Sequence, residues 1–170
     1  MIHSLARWRC FGALLLLSGA SALGTSAQGQ ALFFEGGPPQ LRIDRFVPGS
    51  SSATDVDKST VLSYERAQAP GPRLKVVVSA PAVSPSASNE RFELQVEALA
   101  PTAGTPQGQI RLRESMPPTD LIRGIEPCKG KNAQSKACEE QATLRYQMRA
   151  TVESGPGQNE HVIQYTLQTQ

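Results

Sequence analysis

The sequence predicts an all-β fold: a single antiparallel β-sandwich of about seven strands behind an N-terminal signal peptide. Three observations lead there. From about residue 41 onward, apolar residues recur at every second position in successive short runs. Connections rich in Pro, Gly and Ser separate the runs, and no strongly helical segment stands between them. A period of two puts alternate side chains on one face of a strand. Strands without intervening helices cannot be joined as parallel βαβ units, so the sheet is chiefly antiparallel.

The first segment is of a different kind. Arg7 and Arg9 precede an apolar run from Phe11 to Leu17, and small residues follow as far as Thr25-Ser26-Ala27. That order matches an export signal with a small-residue cleavage site, cut after Ala27 or, failing that, after Gly24. The apolar run is shorter than the roughly 20 residues that span a bilayer, so no stable membrane insertion is expected after cleavage. Cys10 precedes the apolar run and is not placed to be a lipidated N-terminus. The organisation expected is a signal peptide over 1–27, an N-terminal arm over 28–40 and one sandwich domain over 41–170. The destination expected is the periplasm or the exterior.

Cleavage also changes the charge. The chain has 17 Lys plus Arg and 15 Asp plus Glu, and residues 1–27 contain two Arg and no acid. The remainder carries 15 of each. With no net positive charge, binding to nucleic acid or to an anionic membrane loses its main driving force. The 143 residues that remain suffice for one real core.

The strands follow in order. Leu41 and Ile43 share a face within 41–46, and the polar stretch 48–59 reads as a loop. Leu62 and Tyr64 are in step within 60–66, and Leu74, Val76 and Val78 within 73–79. After a Pro- and Ser-rich turn region at 80–89, Phe92, Leu94, Val96 and Ala98 alternate without a fault. Ile110 and Leu112 mark a shorter strand over 109–113. The stretch 116–138 is the least regular, with room for one short helical turn capped by Thr119 or Asp120 and limited by Gly124 and Pro127.

From 142 to 153 two signals compete. Ala, Leu, Gln, Met and Arg favour helix, and Leu144 with Met148 suits an i, i+4 face. Yet Leu144, Tyr146, Met148, Ala150 and Val152 alternate unbroken, and a Ser-Gly-Pro-Gly turn follows, which favours a strand. The last strand, 161–168, puts Ile163, Tyr165 and Leu167 on one face. One apolar and one polar face per strand imply two sheets packed face to face in an immunoglobulin-like sandwich, with a small barrel as the alternative.

Removing the signal leaves two cysteines, Cys128 and Cys138. In an oxidising compartment such a pair is expected to form a disulfide. A zinc site needs about four ligands, and His161 is the one histidine past the signal. The Cys-x-x-Cys spacing of a redox pair is missing. Lys129, Lys131 and Lys136 make the intervening loop basic, either a solvated tip or a ligand-contacting loop.

Catalytic groups are scarce. His161 opens a strand after the Asn159-Glu160 turn, where a surface histidine is the plainer reading than a general base, and the adjacent Glu139 and Glu140 would point to opposite faces of a strand. Asp55 and Asp57 sit two apart in the expected loop, where calcium would need six to eight oxygens; a solvated turn is the plainer reading. Gly155-Pro156-Gly157 is too rigid for a phosphate cradle and leads into a strand. Trp8 leaves with the signal, and most remaining aromatics are in step with the core, which disfavours a sugar-binding platform. No cofactor is implied, and an enzyme is not expected.

The segments LKVVVSA (74–80), TLRYQMRATV (143–152) and SGPGQNEHVIQYTLQ (154–168) resemble bacterial secreted sandwich domains of the fimbrial-subunit and spore-coat-U type. The resemblance implies a non-enzymatic role in assembly or adhesion through strand edges. Those subunits often carry a cysteine near the mature N-terminus, whereas the pair here comes late. Two functions are thus expected as alternatives. One is a structural, adhesive or interaction protein of the envelope, contacting a protein partner or itself through sheet edges. Its arm residues Leu32, Phe33 and Phe34 would either add to a neighbour or cap their own core. The other is a periplasmic ligand-binding or inhibitor module that uses the loop between Cys128 and Cys138.

Overall fold

The computed structural model describes residues 4–5, 31–67, 69–81, 92–128, 138–154 and 162–170. Apart from Ser4–Leu5 (β1), which pairs with Gln40–Leu41 (β3), the expected signal segment lies outside these residues. The other strands are Leu32–Glu35 (β2), Ser52–Arg66 (β4), Leu74–Ala80 (β5), Phe92–Leu99 (β6), Thr105–Pro106 (β7), Ile110–Leu112 (β8), Met116–Ile125 (β9), Cys138–Thr151 (β10) and Gln164–Thr169 (β11). No α-helix occurs among the described residues; Val152–Ser154 forms one 3-10 turn.

Two antiparallel sheets result. The first has the order β2-β4-β10-β6-β8 and the second β11-β5-β9-β7. Their facing sides form one core, with Leu62, Tyr64, Val96, Leu144 and Tyr146 from the first sheet and Leu74, Val76, Val78, Leu121 and Ile125 from the second. This is an all-β sandwich, and the sheets keep separate edges, so it is no closed barrel. From β4 onward each strand lies in the sheet opposite to its predecessor. The Pro-, Gly- and Ser-rich connections therefore bridge the two layers instead of closing hairpins within one.

The 142–153 conflict resolves as strand as far as Thr151; Val152, expected on the same buried face, instead lies exposed in the 3-10 turn that ends the strand. Ala142, Leu144, Tyr146, Met148 and Ala150 are all buried on β10, which pairs with β4 on one side and β6 on the other. A helix over the same residues would spread those five side chains around its circumference and leave β4 and β6 without a ladder between them.

Three expectations are corrected. The stretch 48–59 is not all loop, because β4 begins at Ser52. A bulge hides the pattern: Lys58 and Ser59 together oppose Arg145, between the pairs Thr60–Leu144 and Asp57–Tyr146. Two residues against one reverse the side-chain phase. Ala53, Asp55 and Asp57 face inward before the bulge, and Thr60, Leu62 and Tyr64 after it.

The stretch 116–125 is not irregular and holds no helical turn. It is β9, which buries Leu121, Ile122 and Ile125. Its register against β5 shifts three times, and Gly124 adopts φ 64°, so strict alternation is lost although the strand continues. Third, of the run 41–46 only Leu41 is strand, as the second residue of β3. Leu41 and Ile43 are buried as expected, but beyond Leu41 the backbone turns to side-chain partners, described below.

Leu144→Ala is expected to lower stability by about 3–4 kcal/mol, as for other buried leucines. Arg149→Ala, on the exposed face of the same strand, should stay within about 0.5 kcal/mol. Urea denaturation of both variants checks the pair.

Candidate functional site

The described surface contains no evident reaction centre, so the place to look is where the sandwich is incomplete. A sheet edge exposes a row of backbone N–H and C=O groups, and natural proteins blunt it with short strands, proline, charge or bulges. One side of this sandwich is blunted. There β8 has three residues with Arg111 in the middle, reaching Glu93 at 3.4 Å. Beside it β7 has two residues, one of them Pro106.

The other side differs. Its edges are β2, Leu-Phe-Phe-Glu, and β11, Gln-Tyr-Thr-Leu-Gln-Thr, which has neither charge nor proline. The rings of Phe34 and Tyr165 bring these two edges together, edge to face with centroids 5.3 Å apart. The Tyr165 hydroxyl shares a 2.7 Å hydrogen bond with that of Tyr146 in the core. Burial pushes both hydroxyls well above the ordinary tyrosine range. Tyr64, likewise buried, is pushed up to about 12 and donates its hydrogen to the Ala103 carbonyl.

The arm residues fall on this side. Leu32 and Phe34 face inward and pack on the core, in register with Tyr64 and Leu62 of β4. Phe33 faces outward, opposite Ser63, and is 37% exposed. Glu35, two residues on and on the same outward face, accepts a hydrogen bond from the Ser63 hydroxyl at 3.4 Å. In this structure the arm caps its own sheet. Gly36 makes the exit possible: it has φ 91°, and a Cβ there would come within 2.4 Å of the Ser59 carbonyl oxygen.

Asp55 and Asp57 lie on strand β4 instead of in a solvated turn, and they bind backbone. Asp55 accepts the Arg42 N–H at 2.6 Å, and Asp57 accepts the Gln40 N–H at 3.0 Å. They hold residues 40–43 over the inner end of β4, where Leu41 and Ile43 enter the core. Burial acts to raise the Asp57 pKa. The Ser59 hydroxyl and the N–H groups of Ser59 and Gln40 outweigh it and hold the carboxyl below 3.8. Among the described residues no three of His, Cys, Asp or Glu group together to hold a metal ion.

Cys128 and Cys138 are bonded, with Cα atoms 6.1 Å apart. The Cys128 N–H donates to the Ala67 carbonyl at 2.8 Å, and Cys138 pairs with Arg66 at the end of the β10–β4 ladder. The disulfide thus joins the exit of β9 in one sheet to the start of β10 in the other. Next to it Arg66 meets Glu140 at 2.8 Å, while Glu139 is exposed on the opposite face. Lys129, Lys131, Lys136, His161 and Gly155-Pro156-Gly157 lie outside the described residues. No helix among the described residues is long and apolar enough to cross a membrane.

Sequence reasoning missed β11 as a candidate. Its signal was present, six residues that include Tyr and two Thr and carry no charge or proline, but neutrality marks an unprotected edge only once the strand is known to lie at one.

The chain matches no family model, no curated protein and no solved structure.

Replacing both cysteines by serine is expected to lower stability by about 2–3 kcal/mol, because a small loop is no longer closed in the unfolded chain; calorimetry measures the loss. Asp57→Asn should cost about 1–2 kcal/mol near neutral pH. The folded-state pKa of Asp57 lies below 3.8, so its contribution is complete above that value and fades as pH falls through the folded pKa. The gap between wild type and Asp57→Asn in urea midpoint should therefore shrink in acid.

Proposed function

We propose that this chain is an exported envelope protein, periplasmic or extracellular, that works by protein–protein contact and not by catalysis. Its role is structural or adhesive, fimbrial-like in kind, and the side bearing β2 and β11 is its contact surface. The observation that supports this reading is the contrast between the two sides. The side with β7 and β8 carries short strands, a proline and a paired arginine, whereas the side with β2 and β11 carries a six-residue edge without charge or proline. An edge left unguarded, as β11 is, invites aggregation unless a partner covers it. The N-terminal segment supports export by its order of charge, apolar run and small residues. The disulfide suits an oxidising compartment.

Native mass spectrometry of complexes drawn from the exporting cell tests the reading. Phe33→Lys on β2 and Thr166→Lys on β11 should abolish the complexes while leaving the fold intact by near-ultraviolet circular dichroism. Gln109→Lys, beside β8, should leave them unchanged. Complexes that survive both lysines on the β2/β11 side would refute this reading.

A further inference from the structure

We propose that β11 pairs with β11 of a second copy of this chain, antiparallel across a two-fold axis at Leu167, so that two four-stranded sheets become one of eight strands. This rests on the reading of the β2/β11 side as a contact surface and names the partner for β11.

The backbone sets the phase. The Gln170 N–H donates to the Arg73 carbonyl at 2.9 Å, continuing the register in which Gln168 opposes Lys75 and Thr166 opposes Val77. In an antiparallel ladder alternate residues bond to the same neighbour. Gln168 and Thr166 therefore turn their backbone groups to β5, and Leu167 and Thr169 turn theirs to the other edge. Among the described residues no strand pairs with that edge.

A two-fold axis perpendicular to the sheet keeps both inner faces on one side. It therefore pairs residues an even number of positions apart. With the axis at Leu167, each Leu167 exchanges N–H and C=O bonds with its twin, and Thr166 stands opposite Gln168 of the second copy. The run from Gln164 to Gln170 then pairs along its whole length.

Charge selects a copy of the same chain over a charged strand. With the axis at Leu167, a charge at 166 or 168 would lie diagonally across from its own copy, two positions away, and repel it; β11 has none. The two cations next to it on the β5 side are already neutralised, Lys75 by Asp120 at 2.9 Å and Arg73 by Glu126 at 2.7 Å. Lys75 and then Arg123 hold the Asp120 carboxyl below its ordinary range. Among the described residues a charged foreign strand finds no counter-charge along this edge, while a second β11 meets no repulsion.

The test uses the full exported chain with its disulfide intact. Sedimentation equilibrium should show a dimer at high protein concentration. The double variant Thr166→Lys with Gln168→Lys sets lysine against lysine twice and should be monomeric, with an unchanged near-ultraviolet spectrum. For the register, protein carrying Thr166→Cys is mixed with protein carrying Gln168→Cys and oxidised. Directly opposed residues at a non-hydrogen-bonded pair lie about 4.5 Å apart at Cα, within disulfide reach, so the mixture should cross-link far more than either variant alone. A monomeric wild type, a dimer that survives the lysines, or cross-linking no greater in the mixture would each overturn the proposal. A monomeric wild type whose complexes in the exporting cell remain sensitive to Thr166→Lys would overturn self-pairing alone. Complexes insensitive to it and to Phe33→Lys would remove the contact-surface reading as well.

Discussion

The structure depends on one strand having to hide one face along most of its length. β10 carries Ala142, Leu144, Tyr146, Met148 and Ala150 on a single side, all buried, and pairs on both flanks, with β4 and with β6. Its polar residues point the other way, where Arg145 reaches Glu97 at 3.3 Å and Gln147 at 3.0 Å. The second sheet is the cover that this apolar face requires, and Tyr146 makes the join specific through its hydrogen bond to Tyr165 of β11. The edge β11 is thereby held in place from within the core.

The path of the chain follows from the same need. Each strand from β4 onward crosses to the other layer, so every ladder joins segments distant in sequence. Loop-closure entropy must be overcome before such contacts form. The disulfide stands at one of the crossings, between the exit of β9 and the start of β10. Stapling the layers there removes part of that entropy where the chain changes sheets. Asp55 and Asp57 do a related job without a covalent bond, by holding residues 40–43 across the inner end of β4.

Much of the architecture was legible in the residues. Period-two alternation placed β5, β6, β10 and β11 with only small errors at their ends, because one side of each is core and the other is water or polar neighbours. The rest was obscured for identifiable reasons. The start of β4 was hidden because the bulge opposite Arg145 reverses its phase and turns Asp55 and Asp57 inward. β9 was hidden because shifts in its pairing with β5 break the pattern. The order of the strands cannot be read from alternation at all, since period two says which face is buried and not which strand lies alongside. The candidate contact side was legible in part. Leu32, Phe33 and Phe34 stood out as an apolar arm, whereas β11 gains its meaning from lying at an edge.

The most direct test of this account is amide hydrogen exchange across β10. Pairing on both flanks under a second sheet predicts that the amides from Leu144 to Ala150 exchange only through global unfolding, slowest in the chain, together with their partners on β4 and β6. Fast exchange there, or protection accompanied by the short i, i+3 contacts of a helix, would contradict the sandwich and with it the assignment of its open side.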